Sequence, residues 1–188
     1  MPHLEYKIRL ATEKDLSLVI KLQRANHYKS ISDQDKTKEG FVSVETSLST
    51  LKTIRKEIGV VVADLHGKII GYEFPISLDQ AKKIDLLKPF LTKILELNYG
   101  GKKLLEYQLV IEGQICVDKN YKGKGIAEKL HKKFVELLKN KFDLMVTEIS
   151  DQNPRSLYVH KNKLGLQIIN EYTAEGKNWY VLIRDLRD

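Results

Sequence analysis

The sequence predicts a mixed α/β fold in a single domain over residues 1–188, on three observations. Some runs alternate apolar and polar residues, longer runs carry apolar residues three and four apart, and one strand enters a glycine-containing turn that opens a helix. A chain of 188 residues lies near the usual ~150 per domain, and 42% hydrophobic with 30% charged residues is an ordinary globular composition.

Tyr6, Ile8 and Leu10 alternate with Lys7 and Arg9 and predict a half-buried strand. Thr12 with Asp15 three residues later is a capping-box pattern, opening a helix whose apolar face is Leu16, Val19 and Ile20. Residues 26–40 are polar and aperiodic, which predicts a mobile loop. Helical spacing resumes with Val44, Leu48, Leu51 and Ile58 and stops at Gly59. Two β-rich runs, 60–65 and 68–76, flank His66-Gly67 and read as a hairpin. Residues 79–103 read as helical through Ile84, Leu87, Leu91, Ile94 and Leu95, with Pro89 kinking that helix or starting a new one, and Tyr99-Gly100-Gly101 closing it.

A long strand over 105–117 follows. By period two, Tyr107, Leu109, Ile111, Ile115 and Val117 share one face with Gly113, while Glu106, Gln108, Val110, Glu112, Gln114 and Cys116 share the other, which is too polar for a core. After Gly123 and Gly125, an amphipathic helix puts Ile126, Leu130, Phe134, Leu137 and Leu138 on one side. A strand at Leu144, Val146 and Glu148, a helix after Asn153-Pro154, and strands near 166–172 and 178–184 complete the order β-α-α-β-β-α-β-α-β-α-β-β, without repeat or linker.

The 32 Lys+Arg against 25 Asp+Glu leave a net charge of +7, which attracts polyanions such as nucleic acid, anionic lipid or a phosphorylated cofactor. Acids are interspersed among the bases, so no basic stripe argues for nucleic acid and none is expected as a partner. The single cysteine, Cys116, excludes an intramolecular disulfide. The opening MPHLEYKIRL lacks the apolar stretch of a signal peptide, and no run approaches the ~18 apolar residues of a membrane span. A soluble protein of the reducing cytoplasm is expected.

The chemistry concentrates in Cys116-Val117-Asp118-Lys119-Asn120-Tyr121-Lys122-Gly123-Lys124-Gly125-Ile126-Ala127. A strand, a glycine turn and a helix start aim unpaired N–H groups the same way at the positive end of a helix dipole, a geometry that binds phosphate. Gly123 and Gly125 let backbone approach an anion, and Lys122 and Lys124 add positive charge. Neither Gly-x-x-x-x-Gly-Lys-Ser/Thr nor Gly-x-Gly-x-x-Gly is met, the latter because position 128 is Glu. An isolated Gly-x-Gly is equally a plain helix start.

Lys122-Gly123-Lys124-Gly125-Ile126-Ala127 resembles the acyl-CoA-binding motif of the GNAT N-acetyltransferase superfamily, Gln/Arg-x-x-Gly-x-Gly/Ala, with Lys at the first position. Asn153-Pro154-Arg155-Ser156-Leu157-Tyr158-Val159-His160, followed by Leu164-Gly165-Leu166, resembles the family's penultimate helix, with Leu166 in place of the usual aromatic. The resemblance implies the GNAT fold: a central mixed, strongly twisted β-sheet flanked by helices, here with a helical insertion between strands 3 and 4. It implies acetyl-CoA as cosubstrate, with its pantetheine on the backbone of Ile115, Cys116 and Val117 and its pyrophosphate on the amides of Lys122, Gly123, Lys124, Gly125, Ile126 and Ala127. Asn153 and Ser156 would contact the same cofactor, Asn153 also serving as the cap before Pro154.

The implied activity is direct acetyl transfer to a primary amine of a small molecule, peptide or protein; a catalytically silent CoA-binding sensor is the alternative. An amine with pKa near ~10.4 is mostly protonated at neutral pH, so a base is required. Glu112 stands where some relatives carry a catalytic Glu, and an exposed strand carboxylate is its bland reading. Gln114, on the same face, could orient the acceptor or a water. The acid that protonates the departing thiolate is Tyr158 on chemistry or His160 on spacing. The two lie about 200° apart on a helix, so at most one faces the sulfur.

Cys116 reads as core filler rather than a nucleophilic relay. The five His show no His-x-x-x-His spacing, so no metal is expected. The acceptor is expected to enter between residues 26–44 and 79–103, where His27, Tyr28, Asp33, Asp35 and Glu39 could line an acidic site suited to a cationic amine, although a solvated loop is the simpler reading of these residues. The resemblance also admits a homodimer.

Overall fold

The hairpin expected around His66-Gly67 forms as β2 (Val61–Leu65) and β3 (Lys68–Ile76), paired antiparallel inside a seven-stranded sheet. The structure is a computed structural model that describes residues 5–187, apart from the side chains of Asp33 and Thr37. The remaining strands of the sheet are β1 (Lys7–Leu10), β4 (Leu109–Val117), β5 (Leu144–Ser150), β6 (Gln167–Ala174) and β7 (Lys177–Asp185). Their spatial order is β1-β2-β3-β4-β5-β7-β6, antiparallel throughout except for the parallel pair β4 and β5.

Helices cover both faces. On one lie α1 (Leu16–Ala25), α3 (Leu48–Glu57) and α5 (Lys88–Glu96), whose Leu16, Val19, Leu51, Ile54, Phe90 and Ile94 bury against Tyr72, Phe74 and Ile111. On the other, α6 (Ile126–Leu138) packs Ile126, Leu130, Phe134 and Leu138 against Val61, Ile70, Val110 and Met145. The helix α7 (Pro154–Asn162) follows β5 on that second side. Each such buried side chain stabilises the fold by ~1.5–3 kcal/mol, so the alternation along the central strands serves two cores rather than one.

Several expectations are corrected. Residues 26–40, read as a loop, contain α2 (Asp33–Glu39), whose cap Ser32 accepts from the Asp35 amide at 3.2 Å. Capping rather than an apolar stripe specifies this helix, so hydrophobic spacing does not reveal it. The helix read from Val44 begins only at Leu48, behind its cap Ser47. Residues 79–103 are not one helix. A capping box between Ser77 and Gln80 opens the single-turn α4 (Leu78–Ala81), Pro89 sits in the first turn of α5, and Asn98–Tyr99 pairs with Lys102–Lys103. Proline has no N–H to lose at a helix start, which is why the second of its two outcomes occurs.

The strand read from 105 begins at Leu109, because Leu104–Glu106 coil into a 3₁₀ turn. Its faces are also reassigned, at Gly113. Phe74 pairs with Gln114 and Pro75 with Glu112, so Gly113 is an unpaired bulge residue. Beyond it the alternation inverts: Leu109 and Ile111 share the α1 side with Gln114 and Cys116, whereas Val110 and Glu112 share the α6 side with Ile115 and Val117. Glu112 and Gln114 therefore point to opposite sides, and both are buried rather than solvated. The bulge lets Pro75 sit in a central strand without a missing ladder bond. It also needs glycine, since a Cβ at 113 would lie 2.4 Å from Ile76 Cγ1.

Leu109, Val110 and Ile111 pair with Leu144, Met145 and Val146, and there the pairing of β4 with β5 ends, although β4 runs on to Val117 and β5 to Ser150. The two strands part, and the gap between them is the cleft described next.

Candidate active site

Two cavities meet where β4 and β5 part, sharing Phe41, Val42, Ile115, Ser156 and His160 in their walls. The larger, about 340 Å³, runs past Ile115, Cys116 and Val117 and over the turn at Lys122, Gly123 and Gly125. The smaller, about 120 Å³, lies among Ile111, Glu112, Glu148, Phe90 and Trp179.

Gly123 and Gly125 have φ of 74° and 72°, the left-handed region that disfavours other residues, and a Cβ at either would meet no atom within 4 Å. The backbone is therefore bare to the cavity. Lys129 N donates to Gly125 O at 3.3 Å, so the amides of Ile126, Ala127 and Glu128 precede the first intrahelical donor and stand at the positive end of α6. A phosphate fits this cradle. Lys122 does not reinforce it: its Nζ donates to Glu39 O at 2.8 Å and pairs with the Glu39 carboxylate at 3.4 Å. The Lys124 ammonium lies over the Tyr121 ring, 5.4 Å from its centre.

Asn153 caps α7, its Oδ1 accepting from Ser156 N at 3.4 Å, and its Nδ2 donates to Phe41 O at 2.9 Å. The expected cap is realised, and the side chain lines the smaller cavity. Cys116 is buried, which pushes its thiol up to about 12 and keeps it protonated at neutral pH, in keeping with core filler.

Glu112 is 3% exposed and His160 is 5% exposed, and His160 Nε2 lies 3.3 Å from Glu112 Oε1. The other ring nitrogen, His160 Nδ1, donates to Ser156 O at 2.7 Å. Tyr158 points elsewhere. It is 48% exposed on the outer wall of the larger cavity, with the Arg155 guanidinium 5.9 Å from its ring centre. Of the two candidate acids, His160 is the one beside Glu112.

Two residues passed over in the sequence complete this group. Glu73 on β3 is fully buried, and its Oε1 lies 2.8 Å from Nδ1 of His131 on α6. Glu73, Glu112 and His131 each bring an oxygen or nitrogen within 4.8 Å of the others, the one such trio of metal-capable side chains among the described residues. They come from β3, β4 and α6, so spacing along the chain cannot join them. A signal was nevertheless present, since Glu73 interrupts an apolar β run and His131 falls on the buried face of an amphipathic helix. Burial pushes Glu73 well above the usual carboxylate range, and the charge of Glu112 pushes it further. Burial is the largest influence on Glu112 and opposes its ionisation, but the His160 imidazole, His131 and a hydrogen bond from Glu73 together hold the carboxyl below its ordinary value. Burial drives His131 down to about 4, whereas for His160 the Glu112 carboxylate overrides burial and raises it.

The acceptor side is corrected in part. Residues 41–44 and Leu86, Leu87 and Phe90, which fall inside the two expected ranges, wall the smaller cavity. The acidic loop residues do not. Glu39 lines the larger cavity, His27 is buried with its Nε2 3.2 Å from Ser43 O, Tyr28 and Asp35 line neither cavity, and the Asp33 side chain lies outside the described residues. The carboxyl on that wall is Glu148, which accepts from the Tyr172 hydroxyl and is pushed up to about 7 by burial.

A parted parallel strand pair ending in an open glycine turn at a helix N-terminus is a geometry suited to a phosphorylated carrier laid along a strand. The chain belongs to the GNAT acetyltransferases: the family described as "Acetyltransferase (GNAT) family" matches residues 33–166. Members of this family use acetyl-CoA. Similar solved structures include an N-acetyltransferase from Staphylococcus aureus, with a TM-score of 0.65 at 17% identity over 97% of this chain and 99% of that one. Another is yncA from Salmonella typhimurium, solved with its cofactor acetyl-CoA, at 0.62 and 16% identity over 97% and 95%. A third is a ribosomal-protein-alanine N-acetyltransferase from Brucella melitensis, at 0.60 and 17% identity over 95% and 99%. No curated protein matches the chain in sequence. Among the described residues no helix is long and apolar enough to cross a membrane.

Proposed function

We propose that this protein is an acetyl-CoA-dependent N-acetyltransferase that transfers the acetyl group directly to a primary amine of a small molecule or a peptide. The observation that carries this reading is the facing pair Glu112 and His160, 3.3 Å apart where the strands part, beside a bare phosphate cradle. Acetyl-CoA, when bound, supplies the acetyl group as a thioester. The amides of residues 122–127 would hold its diphosphate, and Ile115, Cys116 and Val117 its arm, with Ser156 beside them.

Glu112 takes the proton from the amine nitrogen, and His160 Nε2 gives its proton to the departing thiolate. The contact between them then returns the first proton to His160 and restores the pair, while the other proton of the incoming ammonium, lost as the amine becomes the neutral nucleophile, leaves to solvent. Apolar Phe41, Phe90 and Trp179 form part of the wall of the smaller cavity, through which the amine would enter. The Brucella melitensis neighbour acts on a ribosomal-protein alanine, which supports including peptide amines in the acceptor class. The buried free thiol and the use of acetyl-CoA support a cytoplasmic setting.

The test is thiol release from acetyl-CoA across amines, polyamines, aminoglycosides, amino acids and peptides, with melting curves alongside. Acetyl-CoA raises the melting temperature, and free CoA appears with one acceptor class. Gly125→Val, which forces a branched side chain into the left-handed region, abolishes the shift. A shift that survives this change removes the cradle from the assignment. Tight binding without turnover on any amine makes the protein a sensor instead.

A further inference from the structure

Two carboxylates and two imidazoles share the space between β3, β4, α6 and α7, and the transfer proposed above employs only Glu112 and His160. Glu73 and His131 are 0% and 2% exposed, and nothing in packing alone calls for two ionisable side chains there. Buried polar atoms are almost always partnered, so those that are not demand a reason. Glu73 Oε2, both Glu112 oxygens and His131 Nε2 lack an ordinary hydrogen-bond partner.

The protons can be placed so that the carboxyl groups are satisfied. His160 Nδ1–H donates to Ser156 O, which leaves the second ring proton on Nε2, facing Glu112. On the far side, with its proton placed on Nδ1, His131 donates to Glu73 Oε1 at 2.8 Å. Two carboxyl groups so close and so dry do not both ionise; one proton between them resolves the repulsion and gives the facing oxygens a donor and an acceptor. Which of the two holds it follows from the surroundings: Glu112 has the His160 imidazole beside it, whereas Glu73 faces a neutral His131. Arg184 of β7 also faces the pair and favours an ionised Glu73, but burial and the Glu112 charge weigh more heavily the other way.

We propose that Glu73 is a positioning residue for Glu112, a neutral carboxyl that donates a hydrogen bond to the Glu112 carboxylate from inside the fold and is itself steered by His131. This rests on Glu112 acting as the base. Held between Glu73 and His160, the Glu112 carboxylate keeps one orientation toward the cleft and stays ionised where burial alone would neutralise it. Removing the inner donor leaves that charge supported from one side only.

The experiment uses Glu73→Gln, which keeps the size and a donor, and Glu73→Met, which keeps the size alone. Infrared spectra of the full chain in mildly alkaline buffer show the carbonyl absorption of a protonated carboxyl, and both variants lose it. Glu73→Gln retains kcat/KM within about threefold, whereas Glu73→Met loses about tenfold or more and moves the acid limb of the pH profile up by about one unit. KM for acetyl-CoA stays unchanged in both, since the cradle is not touched. An absent carbonyl band overturns the proposal, as does equal loss in the two variants. Elemental analysis finding one divalent cation per chain overturns it as well, because the cation would occupy the place assigned to the proton. If no amine is acetylated by the wild-type chain, the proposed activity fails, and the infrared band still decides the state of Glu73.

Discussion

The two sides of β4 answer the same problem, burying polar side chains, in opposite ways. On the α1 side, Gln114 Oε1 accepts from Gln23 Nε2 at 2.8 Å and from the Tyr72 hydroxyl at 2.6 Å, and Gln114 Nε2 donates to Val44 O at 2.9 Å. Gln23 Oε1 accepts from Thr46 N at 2.9 Å. That network is neutral, and each amide oxygen and nitrogen in it has a partner. On the α6 side, one bulge away, Glu112 sits among Glu73, His131 and His160 with carboxyl oxygens left over. Neutral groups that satisfy one another rigidify a core, whereas ionisable groups kept dry beside a cavity are poised to move protons. The Gly113 bulge is what lets one strand do both within three residues.

The largest effect that tests this division is on Glu112. Glu112→Gln lowers kcat by ~10²–10⁴-fold while the urea midpoint of unfolding barely moves, since an uncharged isostere removes a burial penalty along with an ion pair. Single-turnover assays with equilibrium unfolding on the same samples measure both. A parallel collapse of activity and stability would make the charged side as structural as the neutral one. A variant that keeps its activity would take Glu112 out of the proposed chemistry.

On the α1 side the expectation reverses. Gln114→Leu strips the Tyr72 hydroxyl, Gln23 Nε2 and Val44 O of their partner at once, and each buried orphan costs ~1–3 kcal/mol. The unfolding free energy drops by about 2–4 kcal/mol in urea titrations, well short of a sum because the neighbours relax. The acid limb of the pH profile does not shift, because Gln114 faces away from Glu112. A shifted limb would show that the bulge fails to insulate the two sides.

How far the sequence foretells this arrangement depends on whether the determinants are local. The glycine turn at the start of α6 is legible because one short peptide carries the strand end, both glycines and the helix start. The β2–β3 hairpin and the apolar stripe of α6 are legible for the same reason. The faces of β4 are not, because the bulge is a property of two strands: it takes Pro75, far along the chain, to leave Gly113 unpaired. Period-two counting through residue 113 therefore places Glu112 and Gln114 together, when they oppose each other. Glu73 and His131 escape for a related reason. Each stands singly in an apolar pattern, and only the packing of α6 on β3 turns two exceptions into a pair. That His160 rather than Tyr158 lies beside Glu112 likewise follows from the direction in which α7 docks, which capping by Asn153 starts but does not specify.

Glu148 probes the neutral side from another direction, and its effect is the smallest. It is a carboxyl on the side of the sheet that otherwise buries neutral groups, held by the Tyr172 hydroxyl and pushed up to about 7 by burial. In the unfolded chain a glutamate titrates near ~4.3, so between that pH and about 7 the native state binds the extra proton. Stability from this group is thus fully present in acid and is lost as pH rises through that window, then stays level. Glu148→Gln keeps the acceptor for Tyr172 and does not titrate. The melting temperature of the variant relative to wild type therefore climbs between mildly acidic and neutral buffer and flattens above it. Differential scanning calorimetry at a series of pH values reads this directly. A difference that does not change with pH would mean that Glu148 is already ionised in the fold, and the division between a charged and a neutral side would then hold for β4 but not for β5.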